Sequence, residues 1–353
     1  MTPEPTPEPP PEPTPEPPPE QTRLRADLVC EGGGVKGIAL AGAVDVLAAA
    51  GYAFPRVAGS SAGAIVACLV AALQSAGEPV QRLGELVRLV DYRRFRDESG
   101  LGRLPLVGRA LALLAQDGMY EGRYLEDFLT GALGELGVRT FGDLRIPDVD
   151  DPLSGLPVGK DFRLVVTVSD LSRRRLVRLP WDLPTYGVDP DDYPVARAVR
   201  ASAAIPFFFQ PVRQPTPAGT ASWVDGGLLS NFPVGLFDRG DSLDPRWPTF
   251  GVKLTSRPGS PPTTRPVRGP LALGLAALEA LLLSQDTAYV EEPCTVSRTV
   301  FVPTEGVSPV DFDLPRETQE ALWDGGRGAA ERFLAGWDFD RYVASCRRRI
   351  DDA

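Results

Sequence analysis

Twice between residues 25 and 76 the chain runs from a short apolar strand, through a glycine-bounded turn, into a helix built of small apolar residues. The first unit is a strand at 25–30, a loop at 32–34 and a helix at 35–50. The second is a strand at 56–58, a tight turn at 59–63 and a helix at 64–76. Parallel neighbours need crossover connections, and a helix is the usual crossover. The rhythm therefore predicts an α/β fold with a parallel sheet covered by helices. The same reading predicts strands at 162–169, 175–179, 222–224 and 250–254. It predicts helical stretches over 78–135, 271–290, 315–334 and 338–350, and a helix over 189–202 opened by Asp189-Pro190 as cap and first-turn proline. With 353 residues, 43% of them hydrophobic, one large domain over 24–353 can bury its own core.

Residues 1–23 stand apart. They repeat Thr-Pro-Glu-Pro units, with Glu4, Glu8, Glu12, Glu16 and Glu20 and no basic residue before position 21. Proline removes backbone donors and the glutamates repel one another, so an extended tail without a core is expected. A solubilising linker is the plain reading; a docking segment for a proline-reading partner is the alternative.

The chain contains no histidine. That excludes a Ser–His–Asp triad, a Cys–His pair and any His-ligated metal. The cysteines Cys30, Cys68, Cys294 and Cys346 lack C-x-x-C spacing, so no zinc site is expected. They read as reduced, mostly buried thiols, which suits the cytoplasm. A net charge of −10 argues against nucleic acid as a partner. The arginine clusters at 93–96, 173–175 and 347–349 read as solvated faces. Residues 1–23 lack the apolar core of a signal peptide. The apolar run at 271–283 is broken by Glu279 and falls short of the roughly 20 residues that span a bilayer. A cytoplasmic protein is expected, touching a membrane only peripherally.

Gly32-Gly33-Gly34-Val35-Lys36-Gly37 fits G-x-G-x-x-G between a strand and a helix, the form of a dinucleotide-binding loop. Such a cofactor also needs an acidic residue about 20 positions on, at the end of the second strand. No Asp or Glu lies between Asp45 and Glu78. The loop's amides still suit an anion, and a transient oxyanion is the favoured occupant; a plain structural turn is the other reading.

Gly59-Ser60-Ser61-Ala62-Gly63 is G-x-S-x-G in a strand-to-helix turn, which holds a serine hydroxyl clear of the backbone. Ser61 is the candidate nucleophile; a helix-capping serine is the bland reading. A serine needs a base, and without histidine the candidates are Asp, Glu, Lys or Tyr. Lys36 is one. Asp225 in Asp225-Gly226-Gly227, after a short strand, is the better one, although Asp-Gly-Gly alone is more often a turn. The apolar stretches 104–115 and 271–283 and the run Phe207-Phe208-Phe209 read first as packing and second as an acyl pocket or lid.

Together these motifs, with Ala201-Ser202-Ala203-Ala204-Ile205-Pro206 ahead of the aspartate, resemble the patatin-like phospholipases over about residues 26–255. The resemblance implies a three-layer α/β/α sandwich with a mostly parallel central sheet. It implies Ser61 as acyl-accepting nucleophile, Asp225 as general base, and the amides of Gly32, Gly33 and Gly34 as the oxyanion hole. Lys36, Gly37, Gly59, Gly63 and Gly226 support these loops. The implied activity is hydrolysis of phospholipid or other lipid acyl esters, with no metal or cofactor. Acyl transfer to an alcohol and a non-catalytic scaffold are the rival readings.

Overall fold

Successive residues of a strand face opposite sides of a sheet, and the central strands here are apolar on both sides, as parallel strands buried on two faces must be. In the computed structural model, which describes residues 24–97, 118–146, 159–240, 244–254 and 292–346 and isolated positions 267, 273, 276 and 280, these strands form an eight-stranded sheet. Its parallel part runs β12 (Thr299–Phe301), β11 (Thr249–Lys253), β2 (Asp27–Cys30), β4 (Val57–Gly59) and β6 (Leu164–Asp170). β7 (Arg175–Leu179) and β10 (Gly219–Asp225) pair antiparallel with β6, and β9 (Val212–Thr216) pairs antiparallel with β10. Two small parallel pairs lie outside the sheet: β1 (Leu24–Arg25) with β3 (Tyr52–Ala53), and β5 (Gly118–Tyr120) with β8 (Phe207–Phe209).

Val29, Ala58 and Val165 lie side by side on one face of the sheet, where Phe232, Val234 and Phe237 cover them. Leu28, Val57 and Leu164 lie on the other face, in the main core. That core also holds α1 (Gly37–Ala49), α2 (Ala62–Ser75) and α7 (Arg316–Gly336). α1 is buried from Gly37 to Leu47, as a helix apolar on all sides must be. Side chains at Gly42 or Gly326 would strike the Trp323 and Ala39 carbonyls, so these glycines let α1 and α7 pack backbone to backbone. Arg327 of α7 also binds Asp45 of α1.

The register around β6 sets the site. Val166 pairs with both Gly59 of β4 and Leu179 of β7, and Val168 with both Asp225 of β10 and Val177 of β7. β4 and β10 therefore share the edge of β6 opposite β7. They approach from opposite directions and meet carboxyl end to carboxyl end, with only Thr167 between their last partners.

The described residues bear out the predicted strands to within a few positions, including the pairing of 175–179 with 164–170. Between 78 and 135 they hold α3 (Leu83–Arg88), α4 (Arg123–Glu135) and, unforeseen, β5. The predicted helix over 189–202 is corrected to α5 (Val195–Ser202). Pro194 disfavours helical backbone at Tyr193, and Asp189 instead caps a local turn, accepting from the Asp191 amide at 2.9 Å. The cysteine reading is also corrected. Cys30 and Cys68 are buried free thiols, but Cys294 and Cys346 form a disulfide, with Cα atoms 5.6 Å apart, joining α6 (Pro293–Ser297) to α8 (Phe339–Cys346). The cysteines thus no longer argue for a reducing compartment. No described helix is long and apolar enough to cross a membrane. The tail 1–23, the stretch 104–115, the arginines at 347–349 and nearly all of 271–290 lie outside the described residues.

At the amino ends of the strands Arg56 and Asp27 form a buried two-point ion pair, with Arg56 Nε donating to Asp27 Oδ1 at 2.9 Å and Nη2 to Oδ2. Removing one partner of such a pair strands a buried charge. Asp27→Ala is expected to lose about 3–5 kcal/mol of stability in urea denaturation, and the double replacement Asp27→Leu/Arg56→Met much less.

Candidate active site

β4 ends at Gly59 and α2 begins at Ala62, so the chain reverses within Ser60 and Ser61. Ser61 takes the strain, with φ 51° and ψ −121°, a conformation non-glycine residues rarely adopt. A side chain at Gly63 would overlap the Cys30 and Glu31 carbonyls, so the turn can pack against the end of β2 only with glycine there. Gly59 sits against Gly63, and a Cβ at Gly37, the start of α1, would lie 3.1 Å from the Ala62 Cβ. Ser60 points the other way: its hydroxyl lies 2.5 Å from that of Thr167 and donates to the Ser230 carbonyl at 2.7 Å.

The meeting of β4 and β10 brings Ser61 to Asp225. Ser61 Oγ donates to Asp225 Oδ2 at 2.7 Å, and the Gly227 amide donates to Asp225 Oδ1 at 2.8 Å. Both side chains are buried. Gly226 lies flat against Thr167, where a side chain would clash. Burial pushes the Asp225 carboxyl up to about 7, outweighing the bonds from Ser61 and Gly227 that pull it down. A carboxylate so placed can take a proton from the hydroxyl it touches.

The glycine loop lies alongside. The site of a Gly32 side chain is 3.1 Å from Ser61 Cβ. The Gly32 amide donates to the Asn231 carbonyl at 3.1 Å, whereas the Gly33 and Gly34 amides have no backbone partner among the described residues. Pro309 packs over Gly34 (φ +57°), and its carbonyl accepts from the Val35 amide at 3.0 Å. Lys36 closes the turn through its amide, 3.2 Å from the Gly33 carbonyl.

Beside Ser61 opens a small cavity. Its walls are mainly apolar, with Ala62, Ile65, Leu125, Ile205, Phe209 and Phe312 among them. Buried Arg200 also lines it and braces the wall, its Nη2 donating to the Glu121 and Gln210 carbonyls that follow β5 and β8. Of the phenylalanine run, Phe209 faces this cavity and Phe207 is 44% exposed. Sequence reasoning missed most of the wall, because Tyr92, Phe95, Leu125 and Phe312 are scattered over segments with no common pattern. It also missed Ser202, whose hydroxyl accepts from the Ser61 amide at 2.9 Å; the Ala-Ser-Ala-Ala segment was its signal. Among the described residues no cluster of His, Cys, Asp and Glu could hold a metal.

Asp225 is ionised more readily unfolded (3.8) than folded (about 7). Its charge therefore costs the fold nothing below about 3.8, and the cost grows as pH rises to about 7, reaching roughly 4 kcal/mol. Asp225→Asn removes that cost. The variant is expected to melt above the unsubstituted protein at pH 8, with the gap narrowing steadily towards pH 4.

A family model described as patatin-like phospholipase matches residues 28–238, more than half of the chain. YqhO of Bacillus subtilis, an uncharacterized protein, is 36% identical over 314 residues, covering 89% of this chain and 99% of YqhO. Among solved structures, VipD from Legionella pneumophila aligns at TM-score 0.48 and 17% identity, over 88% of this chain and 66% of that one. ExoU of Pseudomonas aeruginosa, in its complex with SpcU, aligns at TM-score 0.41 and 20% identity, over 89% of this chain and 51% of that one. From the match over the strands, turns and loops just described, the chain belongs to the patatin-like phospholipase family.

Proposed function

We propose that this chain is a serine lipid acyl hydrolase of the phospholipase A or lysophospholipase kind, working through Ser61 and Asp225. The observation that carries the reading is the 2.7 Å bond from Ser61 Oγ to the buried Asp225 carboxylate beside an apolar cavity. Asp225 takes the Ser61 proton as Oγ attacks the ester carbonyl, and returns it to the leaving alcohol. The acyl–Ser61 ester is then cleaved by water, with Asp225 again the base. The oxyanion is received by the amides of Gly33 and Gly34, since that of Gly32 is engaged by Asn231. Each such donor is typically worth roughly 3 kcal/mol. The acyl chain lies in the cavity, and the phospholipid headgroup remains at its mouth.

Such a base must be ionised, so kcat/KM on a neutral ester should rise with pH to a plateau above about 7. Ser61→Ala should lower release of free fatty acid from phospholipid vesicles and of alcohol from a chromogenic ester by at least about 10³-fold, and should abolish fluorophosphonate labelling. Full activity in Ser61→Ala would overturn the proposal. Ile65 stands one turn beyond Ser61 in the cavity wall. Ile65→Trp should lower kcat/KM for long-chain esters about tenfold relative to short-chain ones.

A further inference from the structure

Glu31 and Lys253 form a buried ion pair directly behind the glycine loop. Glu31 Oε2 accepts from the Leu254 amide at 2.5 Å, and Oε1 accepts from Lys253 Nζ and from Asn231 Nδ2, the latter at 3.4 Å. Asn231 Nδ2 also donates to the Gly32 carbonyl at 3.3 Å, while the Asn231 carbonyl accepts from the Gly32 amide. Only the NH₂ end of the Asn231 side chain can serve both acceptors, so Glu31 fixes which way that amide is turned.

A trans peptide is planar, with its C=O and N–H pointing in opposite directions. The Gly32 carbonyl and the Gly33 N–H belong to one peptide. Holding the carbonyl towards Asn231 therefore turns the Gly33 N–H away from it. A Gly-Gly peptide has no side chain to resist rotation. We propose that Asn231, oriented by the Glu31–Lys253 pair, is a positioning residue that locks this peptide with its N–H available to the oxyanion. The inference rests on the hydrolase reading above. It explains why a polar cluster touching neither Ser61 Oγ nor Asp225 is buried here with its charges paired.

The test compares Asn231→Asp, which sets oxygens against the two acceptors, with Asn231→Ser, which is milder and serves if the first fails to fold. In a variant with an intact melting transition, kcat should fall about 10- to 100-fold with KM nearly unchanged. Affinity for an alkyl boronic acid, which forms a tetrahedral adduct on a reactive serine, should fall in parallel. In Asn231→Ser, which adds no charge, the midpoint of the pH profile should stay in place, because Asp225 is untouched. A variant that keeps kcat within about twofold, or loses only KM, overturns the lock. Hydrogen exchange over residues 31–36 reads the lock without activity, and should quicken in the variant. Unchanged exchange overturns the lock even if the unsubstituted protein is a hydrolase. Quickened exchange in a protein that cleaves no ester would sustain the lock and overturn the hydrolase reading instead.

Discussion

Asp225 is 3% exposed, and neither of the bonds to its carboxylate comes from a cation: one is from a hydroxyl, the other from a backbone amide. Water would solvate that group far better than this site does, so the surroundings must hold it rigidly or it would turn outward. The structure supplies that rigidity from both sides. The Asp225 amide donates to the Ala204 carbonyl at 2.9 Å, tying the strand end to the segment after α5. Ser202 in that helix takes the Ser61 amide, so one short stretch braces both members of the pair. A histidine-based site can place its base by hydrogen-bonding the ring to a third residue. Here the sheet and α5 hold the carboxylate in place, and burial raises it to about 7.

The sheet buries charge at both of its ends. At the amino ends lie compact ion pairs such as Asp27–Arg56 and Arg298–Asp238. At the carboxyl ends lie the strained serine, the buried acid and the glycine loop. Open parallel sheets concentrate their ligand sites at that end, because strands stop there and loops diverge. The segment after β12 then closes over it, with Pro309 on the glycine loop and Phe312 in the cavity wall. That segment lies beyond residues 28–238, the stretch the family model matches.

The sequence made the two strand–turn–helix units legible because their glycines answer local demands: Gly63 must clear a neighbouring strand, and Ser61 must turn sharply. Asp225 was legible by elimination, once histidine was absent, and by its motif. What stayed hidden depends on distance in space. Strands β5 and β8 are three residues each, too short for a period-two pattern to stand out. Cys294 and Cys346 are 52 positions apart, and only their converging helices show that they pair. Asn231 carried no signal in the sequence, because the peptide it grips lies 199 positions away.

The meeting of β4 and β10 on one edge of β6 also governs the order in which this protein can come into being. Ser61 leaves a ribosome 164 residues before Asp225, and the strand that aligns them lies between the two. Contacts of such long sequence separation form late, after the loop-closure entropy has been met. A partly made or partly folded chain thus carries Ser61 without the carboxylate that it contacts in the folded protein. The contact exists only once β4, β6 and β10 are in register, so a growing chain lacks it until Asp225 has joined the sheet.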